Sequence, residues 1–326
     1  INESLNIKDK YIIVTGGRVK IGYHTTLHFL RRGANVIATA RFPIDAIERY
    51  KQETDYTEWN NRLHIEHLDL RSHSNVISFC EKVKQYTNNI YCLVNNAAQT
   101  VKRPDIYYNS LEDVKQHKGL KSLKGPEHSE IYPLNVKDIE NVENVKNVKN
   151  VEPDNWLICS EVDFPINQKD IDGQQLDIRT QNSWTQTIED VDIRECMETQ
   201  VINSVAPFCL IQLFQKKGLF ENSYILNITS QEGRFDQDIK GPTHPHNNMS
   251  KASFNMITKT IGYSFRKRYS TQVISIDPGW INSMVGATKM GLLEYSDAVA
   301  RIIQPLVDNT NYTAQLLRHF KVTDKW

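Results

Sequence analysis

Short apolar, β-branched runs alternate along this chain with stretches in which apolar residues return every three or four positions. The run at 11–15 (YIIVT) stops at a glycine pair, and Tyr23, Leu27 and Leu30 then recur at helical spacing until Gly33. Runs of the first kind predict buried strands and those of the second amphipathic helices, so the chain opens as strand, tight turn, helix. The runs at 36–39 (VIAT), 63–67 (LHIEH) and 91–94 (YCLV) repeat the strand signal with helix-length segments between them. Successive βαβ units demand a parallel sheet covered by helices on both faces. The runs at 224–228 (YILNI) and 272–276 (QVISI) add two strands, each after a long helical pattern, and 314–317 is expected to add a short seventh. The expected fold class is therefore α/β, a doubly wound, largely parallel seven-stranded sheet in one domain over 1–326.

One stretch breaks the pattern. Over about 105–181 the apolar periodicity fades, and 141–151 (NVENVKNVKNV) is a low-complexity repeat of Asn, Val, Glu and Lys. Such a composition buries too little apolar surface to offset its ordering entropy, so the segment reads as a polar insertion, partly disordered around 135–153. A short amphipathic helix with Val at every third position is the other reading. Regular signals resume near Trp184, with a helix over 193–213.

Charge and composition narrow the class. The 326 residues are 39% hydrophobic and 24% charged, with 39 basic against 39 acidic side chains, which argues against a disordered tail or a basic nucleic-acid binder. No apolar run approaches the roughly 18 residues of a membrane helix, so no membrane partner is expected. The five cysteines lack CxxC spacing, which favours free thiols in the cytoplasm over a disulfide framework and suggests no metal. The first residue is Ile1 and not Met, which leaves an upstream targeting segment open.

The candidate chemistry begins at the first strand-to-helix turn, Thr15-Gly16-Gly17-Arg18-Val19-Lys20-Ile21-Gly22. Glycines there let the backbone approach a pyrophosphate, whose charge meets the free N–H groups and positive dipole end of the helix. With this turn the chain resembles the short-chain dehydrogenase/reductase superfamily, whose members carry TGxxxGxG at this point. Four further segments fit in order: Asp69-Leu70, Asn95-Asn96-Ala97-Ala98, Ser230, and Asp277-Pro278-Gly279. The resemblance covers about 1–104 and 184–326 and implies a Rossmann-type fold. It implies that Asp69 contacts adenine beside Leu70, that the Asn96 and Ala97 backbone lines the cofactor groove, and that Pro278, Gly279 and Ile281 position the nicotinamide. Ser283 falls near the family's cofactor-touching Thr. Lys20 departs from the family's second glycine, and Ala98 from the last glycine of NNAG.

The end of the second strand bears on which nicotinamide is bound. NAD-specific relatives place an acidic residue where Ala40 stands, whereas Arg41 beside it, with Arg18 from the turn, offers a guanidinium clamp for a 2′-phosphate. NADP(H) is the expected cofactor.

The family's catalytic set is Asn, Ser, Tyr and Lys. Asn203, Ser230 and Lys251 match three of these, and Asn247 stands at the tyrosine position, four residues before Lys251. A carboxamide can polarise an oxygen but does not titrate in a useful range. Two histidines flank it in the stretch HPHNNMSKA: His246 is the nearest candidate acid, with a helix-cap role as its alternative, and His244 beside Pro245 reads as structural. The stretch resembles an atypical branch of the superfamily with HPHxNMxK in place of YxxxK. Thr100, Lys102 and Arg103 read as solvated loop residues, Trp184 and Trp280 as candidate walls of a substrate pocket, and Trp59 as packing.

Together these readings imply an NADP(H)-dependent oxidoreductase acting on a small-molecule carbonyl or alcohol, in a homodimer or homotetramer as the family resemblance suggests. The alternative is a catalytically impaired NADP(H)-binding regulatory or scaffold protein.

Overall fold

The computed structural model describes residues 5–111, 161–281, 291–308, 311–323 and 326. Each apolar run forms a strand: β1 (Tyr11–Val14), β2 (Asn35–Ala40), β3 (Leu63–His67), β4 (Cys92–Asn95), β5 (Tyr224–Ile228), β6 (Gln272–Asp277) and β7 (Gln315–Arg318). An eighth, β8 (Lys321–Thr323), returns antiparallel on β7. The sequence reading missed it because the strand is three residues long and its hairpin turn carries no Gly or Asn. His319 and Phe320 adopt the required positive φ instead, at 50° and 62°.

The sheet runs β3-β2-β1-β4-β5-β6-β7-β8, with every pair parallel except the last. The order of strands in the sheet reverses between β1 and β4, so the crevice for a ligand opens beyond the C-terminal ends of these parallel strands. Alternation along each strand sends Ile12, Val14, Val94 and Leu226 to one face and Ile13, Leu93 and Ile225 to the other. The first set packs on α1 (Lys20–Leu30) and α8 (Tyr295–Val307), the second on α4 (His73–Tyr86) and α6 (Ala206–Lys216). Among the described residues the remaining α-helices are α2 (Pro43–Lys51), the single turn α3 (Tyr56–Trp59), α5 (Ile193–Gln200) and the 25-residue α7 (Pro245–Tyr269). Trp59 is buried edge-on to Tyr50 and Tyr56.

Two sequence expectations change. The helix expected over 193–213 is α5 and α6 joined by a π-turn at Val201–Val205, a wide turn of the kind that gathers at functional sites, and Asn203 sits within it. The insertion is also less peripheral than its composition implied. Its low-complexity core at 135–153 lies outside the described residues, but 161–181 packs onto the body: Phe164 and Gln174 are buried, and Arg103 and Arg179 share the carboxylate of Asp177. Charge pairing, which apolar periodicity does not register, holds this segment. Lys102 and Arg103, read as solvated, are held by Glu198 and Asp177 at 3.1 and 3.3 Å.

Candidate active site

The turn after β1 is built around two contacts that a side chain would destroy. A Cβ on Gly22 would lie 2.2 Å from the Gly16 carbonyl oxygen and 2.5 Å from Asn96 Nδ2. Asn96 in turn donates that Nδ2 to the Thr15 carbonyl at 3.0 Å, while the Asn96 and Ala97 amides donate to Thr15 Oγ1 at 3.0 Å. The first turn of α1 is thereby held against the end of β4. Tyr50, fully buried, donates its hydroxyl to the Gly17 carbonyl at 2.5 Å. Lys20 has φ +56°, the left-handed conformation that explains the family's preference for glycine at this point and that costs a lysine on the order of 1–2 kcal/mol.

A cavity of about 370 Å³ opens above this turn, lined by Gly16, Arg18, Lys20, Ile21, Gly22, Arg41, Asp69, Leu70, Asn96 and Ala97. Ten residues singled out for the cofactor thus share one groove. Gly17 lies behind it, packed on Ala38, where a Cβ would come within 2.8 Å of the alanine's own. Arg41 lies over Tyr108 and Phe42, its guanidinium carbon 4.4 and 4.8 Å from the two ring centroids. Burial pushes the Tyr108 phenol up, but Arg41, Arg103 and Arg18 together hold it below its ordinary value, a measure of the positive potential there. Asp69 is buried and bidentate to Arg71, which with Arg41 outweighs desolvation and keeps the carboxyl below its usual range.

Arg18 faces the Phe42 ring that Arg41 also covers, its guanidinium carbon 5.8 Å from the centroid, and is ion-paired there. It donates to Asp45 at 2.7 Å and to Gln174 at 2.9 Å. The ammonium of Lys20 likewise lies 2.9 Å from Asp172, which also accepts from the Tyr295 hydroxyl at 2.5 Å. Arg49 grips the carbonyls of Asp172 and Gly173 at 2.7 and 3.0 Å. The polar segment thus roofs the glycine turn with a carboxylate and a carboxamide, a role that nothing in its low apolar periodicity signalled.

Beyond β5, β6 and β7 lies a second cavity of about 430 Å³, lined by Trp184, Ser230, Glu232, His244, Asp277, Gly279 and Trp280 among others. The two tryptophans are walls of it. Pro278 is behind, its carbonyl accepting from Arg301 at 2.8 Å, Ile281 is buried, and Ser283 lies outside the described residues. Asn203, buried in the π-turn, ties the first groove to α7: it accepts from the Gln99 amide at 2.7 Å and donates to Ser250 Oγ at 3.0 Å, one residue before Lys251. The Lys251 ammonium donates to the Ile228 carbonyl at 3.0 Å, and burial pushes its pKa down to about 8 against the opposing pull of Glu232 and Asp277. A buried chain, Asn95 to Asn227 to Thr258 with Ser275, fixes α7 and hence Lys251 on the sheet.

His246 and Asn247 are not brought to the cavity. Both are buried on α7, and neither the two ring nitrogens of His246 nor Oδ1 of Asn247 has a hydrogen-bond partner among the described residues. Burial, with the neighbouring His244, pushes the His246 imidazole down to about 4, so it is neutral at neutral pH. The histidine read as structural, His244, is the one on the cavity wall.

A doubly wound parallel sheet with a glycine-cornered groove at its switch point defines an α/β protein of the Rossmann type. Residues 10–118 match the family model for short chain dehydrogenase. That match takes in about a third of the chain, from β1 through β4 with the glycine turn. The chain is 26% identical over 322 residues to an uncharacterized protein of Acanthamoeba polyphaga mimivirus, covering 93% of this chain and 64% of that one. It is 32% identical over 91 residues to retinol dehydrogenase 13 of Homo sapiens, which covers 28% of this chain and 27% of that enzyme. The chain thus spans under two thirds of the length of either relative. Among solved structures it resembles a short-chain dehydrogenase/reductase of Burkholderia multivorans with bound NADP, at TM-score 0.62, 14% identity and coverage of 98% and 100%. It also resembles landomycin C-6 ketoreductase LanV with bound NADP and rabelomycin, at TM-score 0.61, 16% identity and coverage of 97% and 96%. No helix of the described residues is long and apolar enough to cross a membrane.

Proposed function

We propose that this protein is an NADP(H)-dependent oxidoreductase acting on a small carbonyl or alcohol. The observation that carries the cofactor reading is the end of β2: Ala40 offers no carboxylate to repel a 2′-phosphate, and Arg41 presents its guanidinium along the same groove. The narrow glycine turn, with room for backbone and none for a Cβ at Gly22, suits a diphosphate on the N-terminus of α1. When bound, the nicotinamide supplies or accepts the hydride. The chain's own work would be to hold and polarise: Lys251, buried against the Ile228 carbonyl, would serve the ribose hydroxyls, Ser230 the substrate oxygen, and Trp184 and Trp280 a flat apolar face of the substrate.

One observation favours a second reading, an NADP(H)-binding regulatory protein: the tyrosine position is occupied by a buried asparagine that does not reach the cavity. NADPH consumption over a panel of aldehydes, ketones and quinones, with NADPH and NADH binding measured in parallel, separates the two. Turnover of any panel member with tighter binding of NADPH supports the enzyme. Tight binding with no turnover supports the regulator, and equal affinities sink the cofactor assignment.

A further inference from the structure

An oxidoreductase of this kind needs a proton at the substrate oxygen, and the tyrosine position does not provide one. Asn247 does not titrate, His246 is sealed in, and Tyr108 belongs to the other cavity, against Arg41. The second cavity holds two imidazoles, His244 and His319. His319 sits at the tip of the β7–β8 hairpin beside Arg318, whose charge together with burial lowers its pKa.

His244 is held very differently. It is the residue before α7, with φ 44° and ψ 47°, a left-handed conformation that a histidine adopts at a cost. Its amide donates to the Gln186 carbonyl at 2.8 Å, and its ring lies flat on Trp184, centroids 4.0 Å apart and planes within 4°. Nδ1 is 2.8 Å from the Trp184 carbonyl oxygen and 3.0 Å from Thr243 Oγ1. A carbonyl only accepts, so Nδ1 carries a hydrogen and Nε2 is the ring nitrogen that this bond leaves over. The ring is half-buried on the wall that also carries Ser230. One residue is therefore strained, stacked and tautomer-locked at the mouth of the reaction site.

We propose that His244 is the catalytic acid–base of this protein, with the Trp184 carbonyl fixing its tautomer and Ser230 polarising the substrate oxygen. The assignment rests on the oxidoreductase reading above. In reduction, the carbonyl carbon gains a hydride from NADPH, which becomes NADP+, and the C=O π pair moves onto oxygen. That oxygen takes the proton of the imidazolium Nε2–H, leaving a neutral ring that solvent reprotonates; oxidation of the alcohol runs the same transfers backwards. The charged and titratable groups facing this ring are Glu232, Lys240, Asp277, Arg318 and His319 from the other walls of the cavity, and His246 from its own helix.

The discriminating variant is His244→Asn. Asparagine tolerates the left-handed backbone and can donate from the Nδ1 position to the Trp184 carbonyl, so a purely structural cap survives the change while the titrating nitrogen is lost. With an aromatic 1,2-diketone as probe, kcat of the parent is expected to fall with rising pH through an inflection. The variant is expected to lose that inflection and about 10²-fold or more in kcat, with NADPH affinity within twofold. A variant that keeps the parent kcat and pH profile overturns the assignment and leaves the oxidoreductase reading standing. A parent that binds NADPH and reduces none of the carbonyl panel overturns both. If the variant does not fold, 15N spectra of the parent decide: Nδ1 unprotonated in the neutral ring overturns the proposal, and Nδ1 protonated with Nε2 titrating alongside kcat supports it.

Discussion

Replacing Gly22 with alanine tests whether the turn, rather than any one charge, makes the cofactor groove. The new Cβ would stand 2.2 Å from the Gly16 carbonyl oxygen and 2.5 Å from Asn96 Nδ2, neither of which is the free end of a flexible side chain. Relieving that overlap moves backbone, at about 1–3 kcal/mol for overpacking. Displacing the Asn96 amide from the Thr15 carbonyl, 3.0 Å away, adds about 1 kcal/mol. Alanine's better helix propensity returns about 1 kcal/mol, leaving a net loss of about 1–3 kcal/mol. The shift of α1 away from β4 also moves the N–H groups that would meet a diphosphate, so NADPH affinity is expected to drop at least tenfold. Urea unfolding and fluorescence titration read the two effects. Gly241→Ala is the control: nothing lies within 4 Å of its Cβ and its φ is not left-handed, so stability should be unchanged or raised by about 0.4–1 kcal/mol. A Gly22→Ala protein as stable as the control, with parental NADPH affinity, would refute the account of the turn.

Three further outcomes are expected. Arg41→Ala should weaken NADPH binding about tenfold or more while leaving NADH nearly unchanged, since a charge-assisted pair contributes roughly 1.5–3 kcal/mol; calorimetry showing equal losses for both would remove Arg41 from the 2′-phosphate site. Asp172→Asn should raise NADPH affinity severalfold, because the ammonium of Lys20 is then released from a carboxylate 2.9 Å away; a loss of affinity would show that this ion pair builds the groove instead of competing for it. Lys251, held near 8 when folded against an ordinary value of 10.5, binds fewer protons folded than unfolded between those limits, so its penalty is full below pH 8 and gone above about 10.5. Stability should therefore rise across that window in the parent and flatten in Lys251→Met, and a parent whose unfolding midpoint falls there would contradict the burial of the ammonium.

Much of this was legible in the sequence because it depends on local pattern. The apolar runs named seven strands to within a residue or two, and the glycine turn and the Asn96-Ala97 pair meet in one groove because parallel βαβ units bring strand C-termini to one edge. What escaped depends on direction and on distant pairing. His244 and His246 are two residues apart, yet one lies on the cavity wall and the other is buried, because α7 begins between them and turns successive side chains by about 100°. Proximity to the tyrosine position favoured His246; only the orientation of the helix start separates the two. Arg18 was expected at a phosphate and does line the groove, yet its partners Asp45 and Gln174 lie 27 and 156 residues away and no local rule finds them.

The roof over the groove follows from the same long-range pairing and alters how cofactor entry works. Asp170 caps its own turn, accepting from the Asp172 and Gln174 amides at 3.0 and 2.8 Å, and Gly173 takes φ 66° within it. The turn is thus self-supporting, and it presents the Asp172 carboxylate and the Gln174 carboxamide to Lys20 and Arg18. Both cations belong to the segment that a diphosphate would approach, and their side chains are no more than a quarter exposed, so solvent screens these pairs little. On the function proposed above, a dinucleotide would bind by exchanging one anion for another, not by meeting free charge. Its net gain is the difference between two charge-assisted contacts, smaller than either alone. Arg41, stacked on Tyr108 and Phe42 instead of ion-paired to this roof, undergoes no such exchange. Discrimination for a 2′-phosphate would therefore be concentrated at Arg41, while the turn would contribute shape.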